Sequence, residues 1–368
     1  MAPAAPGDPV DHGGAMSERR ALSITSTFVP VRTAVPFVIA RGAASEYPTV
    51  TVRVRDARGG AEGWGEAAPS RFYGETPESV AGALPRLEQA LDGCDPWHLD
   101  DAEQRMRRAL RWNGAARTAV SVALHDLAAK RLGVPLYRML GLDPARAPVS
   151  SYTIGIAATD AELDARLAHA AEYPILKVKL GNPAGPERDA ATMRRVCERA
   201  PDKVLRVDAN AGWSPKTAVR MSGLLAELGV EFVEQPVPAG DVDGLRFVRE
   251  HGALPVVADE SCVDAADVAR LARAGAVDGI NLKLAKCGGL REALAMIATA
   301  RAHGLLVMCG CMIETSLGIT AAAHLAPLLD AADLDGAALL AVDPYVGATI
   351  AGGVVRLPDV PGLGVRAR

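Results

Sequence analysis

Three acidic residues stand at nearly even intervals in the second half of the chain, with a lysine on each side of them. Asp208, Glu234 and Asp259 are separated by 26 and 25 residues. Lys179 precedes the first of them by 29 residues, and Lys283 follows the last by 24. Carboxylates bind metal ions and lysines exchange protons, so these residue types together suggest metal-assisted acid–base chemistry.

The three carboxylates offer only hard oxygen ligands, which favour Mg²⁺, with Mn²⁺ as a substitute, over zinc or copper. They fill half of an octahedron and leave three positions for water and for the oxygens of a substrate carboxylate. Two flanking lysines suggest transfer of the proton on the carbon next to that carboxylate, through an enediolate that the ion would stabilise. Lys177 shares a strand face with Lys179, so like-charge repulsion and partial burial are expected to lower the pKa of Lys179.

Each of these residues ends a short apolar run, and the runs repeat about every 25 residues with a helical segment between them. This repeat is typical of a (β/α) barrel, in which polar residues at the C-terminal ends of the strands point into the barrel mouth. The sequence therefore predicts that three anions and two cations share one pocket. The predicted strands 2 to 6 are 175–179, 204–208, 230–234, 255–259 and 279–283.

The remaining barrel elements follow from the same pattern. Strand 1 is expected at 149–154 and strand 7 at 305–310, while strand 8 is either 331–335 or 338–342. The predicted helices are 187–200, 215–228, 241–251, 264–274 and 288–303. Before the barrel, residues 20–70 alternate like strands of an antiparallel sheet, and helices are expected at 76–92, 100–111 and 114–132.

Composition excludes several classes of function. The chain has 368 residues, a net charge of −4 and no strongly basic block, which argues against nucleic-acid binding. No apolar run approaches the roughly 18 residues of a membrane span. The six cysteines form no paired framework, and Cys309 and Cys311, expected to share a strand face, are too few for a zinc site. We interpret them as reduced thiols in a cytoplasmic protein.

Short motifs around the five residues resemble the enolase superfamily, and within it the muconate-lactonizing enzyme subgroup. They read Lys177-Val-Lys179, Asp208-Ala-Asn210, Glu234-Gln-Pro236, Ala258-Asp-Glu-Ser261, Asn281-Leu-Lys283 and Cys287-Gly-Gly289. The resemblance implies an α/β fold, a modified (β/α)₇β TIM-type barrel with an α+β N-terminal capping domain. It also implies a Mg²⁺ site at the three carboxylates, bases at the two flanking lysines, and a substrate carboxylate neutralised by the first lysine of the Lys-Val-Lys motif.

These elements predict four segments. Residues 1–18 are rich in proline, alanine and glycine and are expected to be a disordered leader, with Met16 as an alternative start and the status of 1–15 open. The capping domain is expected at 19–145 and the barrel at 146–342. A C-terminal segment, 343–368, is expected to return to the capping domain.

Two features resemble dipeptide epimerases such as the L-Ala-D/L-Glu enzymes. One is Gly310-Cys-Met-Ile-Glu314, and the other is Asp333-Leu-Asp335 near the end of strand 8. In those enzymes an Asp-x-Asp pair binds the ammonium of the dipeptide, and residues i and i+2 of a strand can indeed clamp one ammonium. The alternative is a turn cap, because Asp-x-Asp before glycine is common in turns.

Further residues are candidates by the same resemblance. Arg41 lies in the stretch that resembles the specificity loop and would meet an acidic second residue, although a solvated loop arginine is the alternative. Glu314 is expected to end strand 7 and to bind by hydrogen bonds rather than as a metal ligand. Met312, with its neighbours Met308, Cys311 and Ile313, either lines the substrate pocket or belongs to the core. Glu66 and the pair His125-Asp126 are interpreted as structural.

The sequence thus predicts an isomerase, a Mg²⁺-dependent dipeptide epimerase that inverts the Cα of the C-terminal residue by 1,1-proton transfer, with Ala-Glu-like dipeptides as candidates. Alternatives are a cycloisomerase, an o-succinylbenzoate synthase or an N-acylamino acid racemase. The Asp333/Asp335 pair argues against these because their substrates lack an ammonium. An aldolase or a binding protein without metal chemistry is a different class, opposed by the intact set of carboxylates. A homo-oligomer is expected, with a small molecule as the partner.

Overall fold

The computed structural model describes residues 22–57 and 59–368, so the predicted leader lies outside the described part. The N-terminal strands form two separate antiparallel units. One is a three-stranded sheet in the order β1-β4-β5, and the other is the β2–β3 hairpin. Their bounds are Leu22–Val29 (β1), Arg32–Ile39 (β2), Gly42–Glu46 (β3), Thr49–Asp56 (β4) and Glu62–Ala67 (β5).

Four helices follow, of which the first and the third pack on this sheet. The first begins at a capping box, in which Thr76 and Ser79 each bond the other's backbone and Pro77 follows the cap. The third packs directly on β5. A Cβ at Gly63 or Gly65 would collide with carbonyl oxygens of that helix, so only glycine permits the approach. The helices are Pro77–Ala90 (α1), Leu99–Ala109 (α2), Gly114–Leu132 (α3) and Leu136–Met139 (α4).

Eight parallel strands follow, each hydrogen-bonded to its neighbour in chain order. A parallel bridge between Ser150, just before the first barrel strand, and Ala332 in the last strand closes the barrel. The last strand is followed by a 3₁₀ turn, Gly336–Leu339, so the predicted (β/α)₇β barrel is confirmed. The strands are Tyr152–Ile154 (β6), Ile175–Lys179 (β7), Val204–Asp208 (β8), Val230–Glu234 (β9), Val256–Ala258 (β10), Gly279–Leu282 (β11), Leu306–Gly310 (β12) and Ala331–Asp333 (β13).

The barrel helices surround these strands. Most begin where a serine, threonine or aspartate side chain accepts from the first turn, as Thr159, Ser214 and Asp264 do. They are Asp160–His169 (α5), Pro186–Arg199 (α6), Pro215–Glu227 (α7), Val242–His251 (α8), Ala265–Arg273 (α9), Leu284–Cys287 (α10), Leu290–Ala302 (α11) and Ser316–Ala323 (α12).

The apolar residues of the barrel form an outer and an inner core. Outward-facing strand residues such as Val207 and Ile280 pack under the helices in the large outer cluster. The inner cluster is small and consists of Phe232, Val257, Met308 and Ala331. Met308 is therefore a core residue at the base of the barrel and does not line the substrate pocket, because the side chains above it fill the interior.

The structure decides between the two candidates for strand 8. The first forms β13, whereas 338–342 is not a strand, because the chain turns after Asp335. Cys309 and Cys311 both pack on the outer core, Cys309 fully buried and Cys311 partly buried. Because β12 ends at Gly310, Cys311 also lines the pocket described below.

The C-terminal segment contacts the N-terminal region. The Leu363 N–H donates to Asp126 Oδ1 at 2.7 Å, and Tyr345 and Thr51 share a hydroxyl hydrogen bond of 2.7 Å. The segment carries four short strands, Tyr345–Val346 (β14), Thr349–Ala351 (β15), Val354–Arg356 (β16) and Arg366–Ala367 (β17). In the described part of the chain, every helix is too short or too polar to cross a bilayer.

Candidate active site

The five residues predicted from spacing lie at the C-terminal ends of neighbouring strands. Lys179, Asp208 and Glu234 are the last residues of β7, β8 and β9 and pair with one another in register. Asp259 and Lys283 each follow directly after a strand, β10 and β11. All five are buried. The strand order places the three acidic residues between the two lysines.

The acidic residues, called here the carboxylate cluster (Asp208, Glu234 and Asp259), converge closely. Each offers one oxygen, and the three oxygens lie within 4.8 Å of one another. Burial and the neighbouring Asp208 raise the pKa of Glu234 to about 7. Among the described residues, Glu234 Oε2 accepts no hydrogen bond, although Lys177 Nζ lies 3.4 Å away. Buried, mutually repelling oxygens with one unpaired atom fit a hard divalent cation, which would neutralise them.

Each flanking lysine contacts the cluster. Lys179 Nζ donates to Asp208 Oδ2 at 2.5 Å, and Lys283 Nζ donates to Asp259 Oδ2 at 2.7 Å. Burial by itself would lower the pKa of Lys283, but the carboxylates of Asp259 and Glu234 hold it well above its ordinary value. The two ammonium groups therefore supply the positive charge that balances the cluster in this structure.

Lys177 lies on the same face of β7 as Lys179 and, like it, lines the cavity described below, but it has a different carboxylate partner. Its Nζ forms an ion pair with Asp333 Oδ2 and approaches Glu234. Burial would lower its pKa, but Asp333 and Glu234 raise it above the ordinary value. Lys177 therefore links the carboxylate cluster to the end of strand β13, because its carboxylate partners outweigh both burial and the repulsion from Lys283.

Asp333 and Asp335 both line the cavity, but their surroundings differ. Asp333 binds Lys177 and accepts a bond of 2.6 Å from the Ser151 hydroxyl. Asp335 lies beyond the strand and accepts a 2.6 Å bond from the Thr153 N–H. No salt bridge to Asp335 occurs in the described part of the chain, and burial with the nearby Asp333 raises its pKa to about 7. Asp335 is thus a buried carboxylate that lacks a cationic partner.

The three lysines and the Asp333/Asp335 pair open into one cavity of about 650 Å³, bounded by the barrel mouth and the N-terminal region. The carboxylate cluster does not line this cavity itself but contacts the lysines that do. Met312, Cys311 and Ile313 line it next to Asp335 and Leu339. Another part of the wall comes from the β2–β3 hairpin and the residues that follow it. Phe37 and Tyr47 there pack against a small cluster formed by Val29, Val31 and Ile313. The side of the cavity near Asp335 is therefore largely apolar.

Arg41 reaches the cavity from the turn of this hairpin, but its charge already has a partner. Its Nη1 donates to Glu260 Oε1 at 2.6 Å and to the Asn210 carbonyl at 3.1 Å. The guanidinium also stacks 4.6 Å above the Phe72 ring. These contacts hold the hairpin over the barrel, while Arg41 stays partly exposed to solvent.

Glu314 is not placed as the sequence suggested. Strand β12 ends at Gly310, and Glu314 lies in the following loop, where it accepts from the Met312 N–H at 2.8 Å. Burial and the nearby Glu66 raise its pKa to about 8. It does not line the described cavity. Glu66 itself accepts from Thr315 and from the Gly318 N–H, which confirms it as a residue of the interface with the N-terminal region.

Sequence reasoning missed several polar residues around the carboxylate cluster. Asn281 Nδ2 donates to Glu234 Oε1 at 2.6 Å, and Gln235 Oε1 accepts from the Asp259 N–H at 3.0 Å. Gln235 and Asn210 have positive φ angles of 35° and 44°, a strained conformation directly after the strands. Lys286 donates to Asp259 at 2.5 Å. Its position three residues after Lys283, one turn of helix away, was the available signal.

Comparison with known proteins extends over nearly the whole described chain. Residues 160–368 match the family described as enolase C-terminal domain-like. Residues 23–141 match the N-terminal domain of mandelate racemase and muconate lactonizing enzymes.

Several similar proteins are dipeptide epimerases. A hydrophobic dipeptide epimerase of Roseobacter litoralis is 44% identical over 310 residues, covering 83% of this chain and 88% of that protein. The L-Ala-D/L-Glu epimerase of Bacteroides thetaiotaomicron is 40% identical over 342 residues, covering 92% and 87%. A crystal structure of a Cytophaga hutchinsonii dipeptide epimerase with Mg and D-Ala-L-Val has a TM-score of 0.88 at 30% identity, covering 95% of this chain and 96% of the other.

Proposed function

This chain belongs to the mandelate racemase and muconate lactonizing enzyme family of the enolase superfamily, and we propose that it is a Mg²⁺-dependent dipeptide epimerase. It inverts the Cα of the C-terminal residue of a dipeptide by removing its proton and returning one to the opposite face. The family and the relatives' activities support this proposal. So does the complex of a similar enzyme with both Mg and a dipeptide.

One observation carries the proposal. The cavity is lined by the two lysines that contact the carboxylate cluster and by a buried carboxylate, Asp335, that has no salt-bridge partner among the described residues. A dipeptide carries a carboxylate at one end and an ammonium at the other, so both ends find opposite charge. Substrates of the lyases in this family, and N-acylated amino acids, would leave Asp335 unpaired. The lyase and racemase alternatives are therefore not favoured.

Asp208, Glu234 and Asp259 would hold Mg²⁺ or Mn²⁺, because they offer hard oxygen donors in a buried, repelling cluster. The bound ion supplies a Lewis acid that polarises the substrate carboxylate and takes over the neutralisation of the cluster. Lys179 and Lys283 reach the cavity from strands on opposite sides of the cluster. One removes the Cα proton with its neutral amine, and the other, as an ammonium, donates a proton to the opposite face.

The same chain holds the other end of the substrate. Asp335 receives the ammonium, since the Thr153 N–H already fixes its carboxylate and no described residue forms a salt bridge with it. Asp333 contributes from beside it, with its charge shared with Lys177. Lys177 lies between the site for the substrate ammonium and the site for the substrate carboxylate, and it helps neutralise the carboxylate. The apolar residues near Asp335, including Met312 and Leu339, receive the side chain of the first residue.

Recognition of the second residue involves Arg41. The guanidinium lines the cavity and stays 36% exposed, so an acidic side chain can reach it. Glu260 competes for it at 2.6 Å. We therefore expect Arg41 to favour acidic second residues only modestly, and Glu314 to support the neighbouring loop from outside the cavity.

Two further proposals concern the cellular compartment and the oligomeric state. Six cysteines are free, which suits a reducing compartment such as the cytoplasm. A homo-oligomer is expected from the general habit of such barrels.

Proton NMR in D₂O, with Mg²⁺ and pooled L,L-dipeptides, tests the function. Loss of the Cα proton signal of the C-terminal residue, with formation of the L,D product, is the expected result. Absence of exchange in every pool, for protein that binds Mg²⁺, would refute dipeptide epimerisation and turn attention to the lyases of the family.

A further inference from the structure

A fourth lysine contacts the carboxylate cluster, and it does so from outside the cavity. Lys286 lies in the single-turn helix α10, and its side chain is completely buried. Its Nζ donates to Asp259 Oδ1 at 2.5 Å and to the Asp259 carbonyl oxygen at 2.6 Å. Lys177, Lys179 and Lys283 line the described cavity, but Lys286 does not. It therefore acts on a substrate only through Asp259.

The two oxygens of Asp259 have different neighbours. Oδ2 accepts from Lys283, which lines the cavity, whereas Oδ1 accepts from Lys286, which lies behind it. A carboxylate rotates about its last bond unless something fixes it. The second contact of Lys286, to the carbonyl of the same residue, fixes the ammonium relative to the backbone and thus fixes the plane of the carboxylate.

The turn that carries Lys286 is itself held by helix α3 of the N-terminal region. The Thr118 hydroxyl donates to the Leu284 carbonyl at 2.5 Å and accepts from the Gly288 N–H at 3.1 Å. Gly114, at the start of α3, touches the Lys286 carbonyl so closely that a Cβ there would collide with it. Lys286 therefore cannot shift without disturbing the contact between the two parts of the chain.

We propose that Lys286 is a positioning residue that keeps Asp259 a one-oxygen metal ligand, holding Oδ1 in the protein and presenting Oδ2 to the ion and to Lys283. The proposal rests on the Mg²⁺ site of the proposed function. Mg²⁺ requires near-ideal octahedral geometry, whereas Ca²⁺ accepts six to eight oxygens and bidentate carboxylates. A freed Asp259 could bind with both oxygens, so Lys286 favours the smaller ion.

The test is the ratio of calcium to magnesium affinity, measured by calorimetry with each metal alone. Loss of the positive charge of Lys286 strengthens the binding of both divalent ions equally, so this effect cancels in the ratio. Loss of the fixed orientation of Asp259 affects the two ions differently, so it changes the ratio. In Lys286→Met we expect the ratio to shift toward Ca²⁺ by about tenfold, the lower range for loss of a partner of a metal ligand. Lys286→Gln keeps a donor for Oδ1 and should retain most of the wild-type ratio.

Lys130→Met is the matched control. Lys130 likewise binds one oxygen of a buried carboxylate, Asp126, at 2.6 Å and one backbone carbonyl, that of Glu62, at 3.0 Å. It lies in the N-terminal region, so its loss should leave the ratio unchanged. A folded Lys286→Met variant with the wild-type ratio would overturn the proposal.

A crystal structure of the magnesium-loaded wild type decides the matter even if Lys286→Met does not fold. One oxygen of Asp259 on the ion, with the other still on Lys286, is the expected result. Both oxygens on the ion would overturn the positioning role. Wild-type protein that binds no Mg²⁺ would instead contradict the proposed function itself, so the two failures are distinguishable.

Discussion

Asp335 offers the sharpest test of how the substrate is oriented. Its Oδ2 accepts the Thr153 N–H at 2.6 Å, while Oδ1 lies 3.3 Å from the Thr153 hydroxyl. In Asp335→Asn the amide oxygen can keep the stronger of these bonds, so the fold should be retained. The amide nitrogen of the asparagine then faces the position of the substrate ammonium. A neutral hydrogen-bond donor thus replaces a charged acceptor.

The magnitude follows from the lost interaction. A hydrogen bond involving a charged group contributes about 1.5–3 kcal/mol, and about 1.4 kcal/mol corresponds to a factor of ten. We therefore expect kcat/KM for a dipeptide to fall between about tenfold and about 150-fold. Asp333 is the less suitable position, because its ion pair with Lys177 is buried and a substitution there would remove the nearer carboxylate partner of that lysine and leave Glu234 at 3.4 Å.

The assay compares two substrates in wild-type and variant enzyme. One is a dipeptide, and the other is its 2-hydroxyacyl analogue, which has a hydroxyl in place of the ammonium. Proton NMR follows epimerisation of both. If Asp335 binds the ammonium, Asp335→Asn should impair the dipeptide strongly and the analogue little, with the difference measuring their coupling. An equal loss for both substrates would refute the reasoning.

Two further predictions concern stability and specificity. Burial lowers the pKa of His324 to about 4, and its neutral ring accepts the Tyr137 N–H at 3.1 Å. Below about pH 6.5 the unfolded chain therefore binds a proton at this histidine, whereas the folded chain does not. The resulting contribution to the free energy of unfolding, up to ~3 kcal/mol, is fully present above that pH and is lost as the pH falls toward 4. His324→Asn should show a smaller drop in melting temperature between pH 7 and pH 4.5 than the wild type, and an identical drop would contradict this. Arg41→Ala should lower kcat/KM for L-Ala-L-Glu by less than about tenfold, and more than for L-Ala-L-Leu, because Glu260 already shares the charge; an unchanged ratio of the two would remove Arg41 from recognition.

The sequence could predict the barrel and the convergence of its polar strand ends for a geometric reason. Parallel strands of a closed barrel all end at one mouth, so residues such as Asp208 and Glu234 must meet if their strands are assigned correctly. Strand assignment needed only the apolar runs and their regular spacing. The fold class and the family followed from the same residues.

Contacts made by loops and by long side chains could not be predicted in this way. Lys177 pairs with Asp333, a partner that only the closed barrel brings within reach. Glu314 was expected at a strand end, yet β12 stops four residues earlier. Arg41 pairs with a residue 219 positions away. Such pairings depend on tertiary packing, and the local periodicity of the sequence carries no information about it.

The role of the two lysines is the central claim, and one comparison tests it most directly. Lys179→Ala and Lys283→Ala are each incubated in D₂O with Mg²⁺ and separately with the L,L- and L,D-forms of a dipeptide that the wild type converts. The two-base account predicts that neither variant interconverts the forms, although each lysine that remains can still exchange the Cα proton on its own face. Epimerisation that survives in either variant would contradict the account.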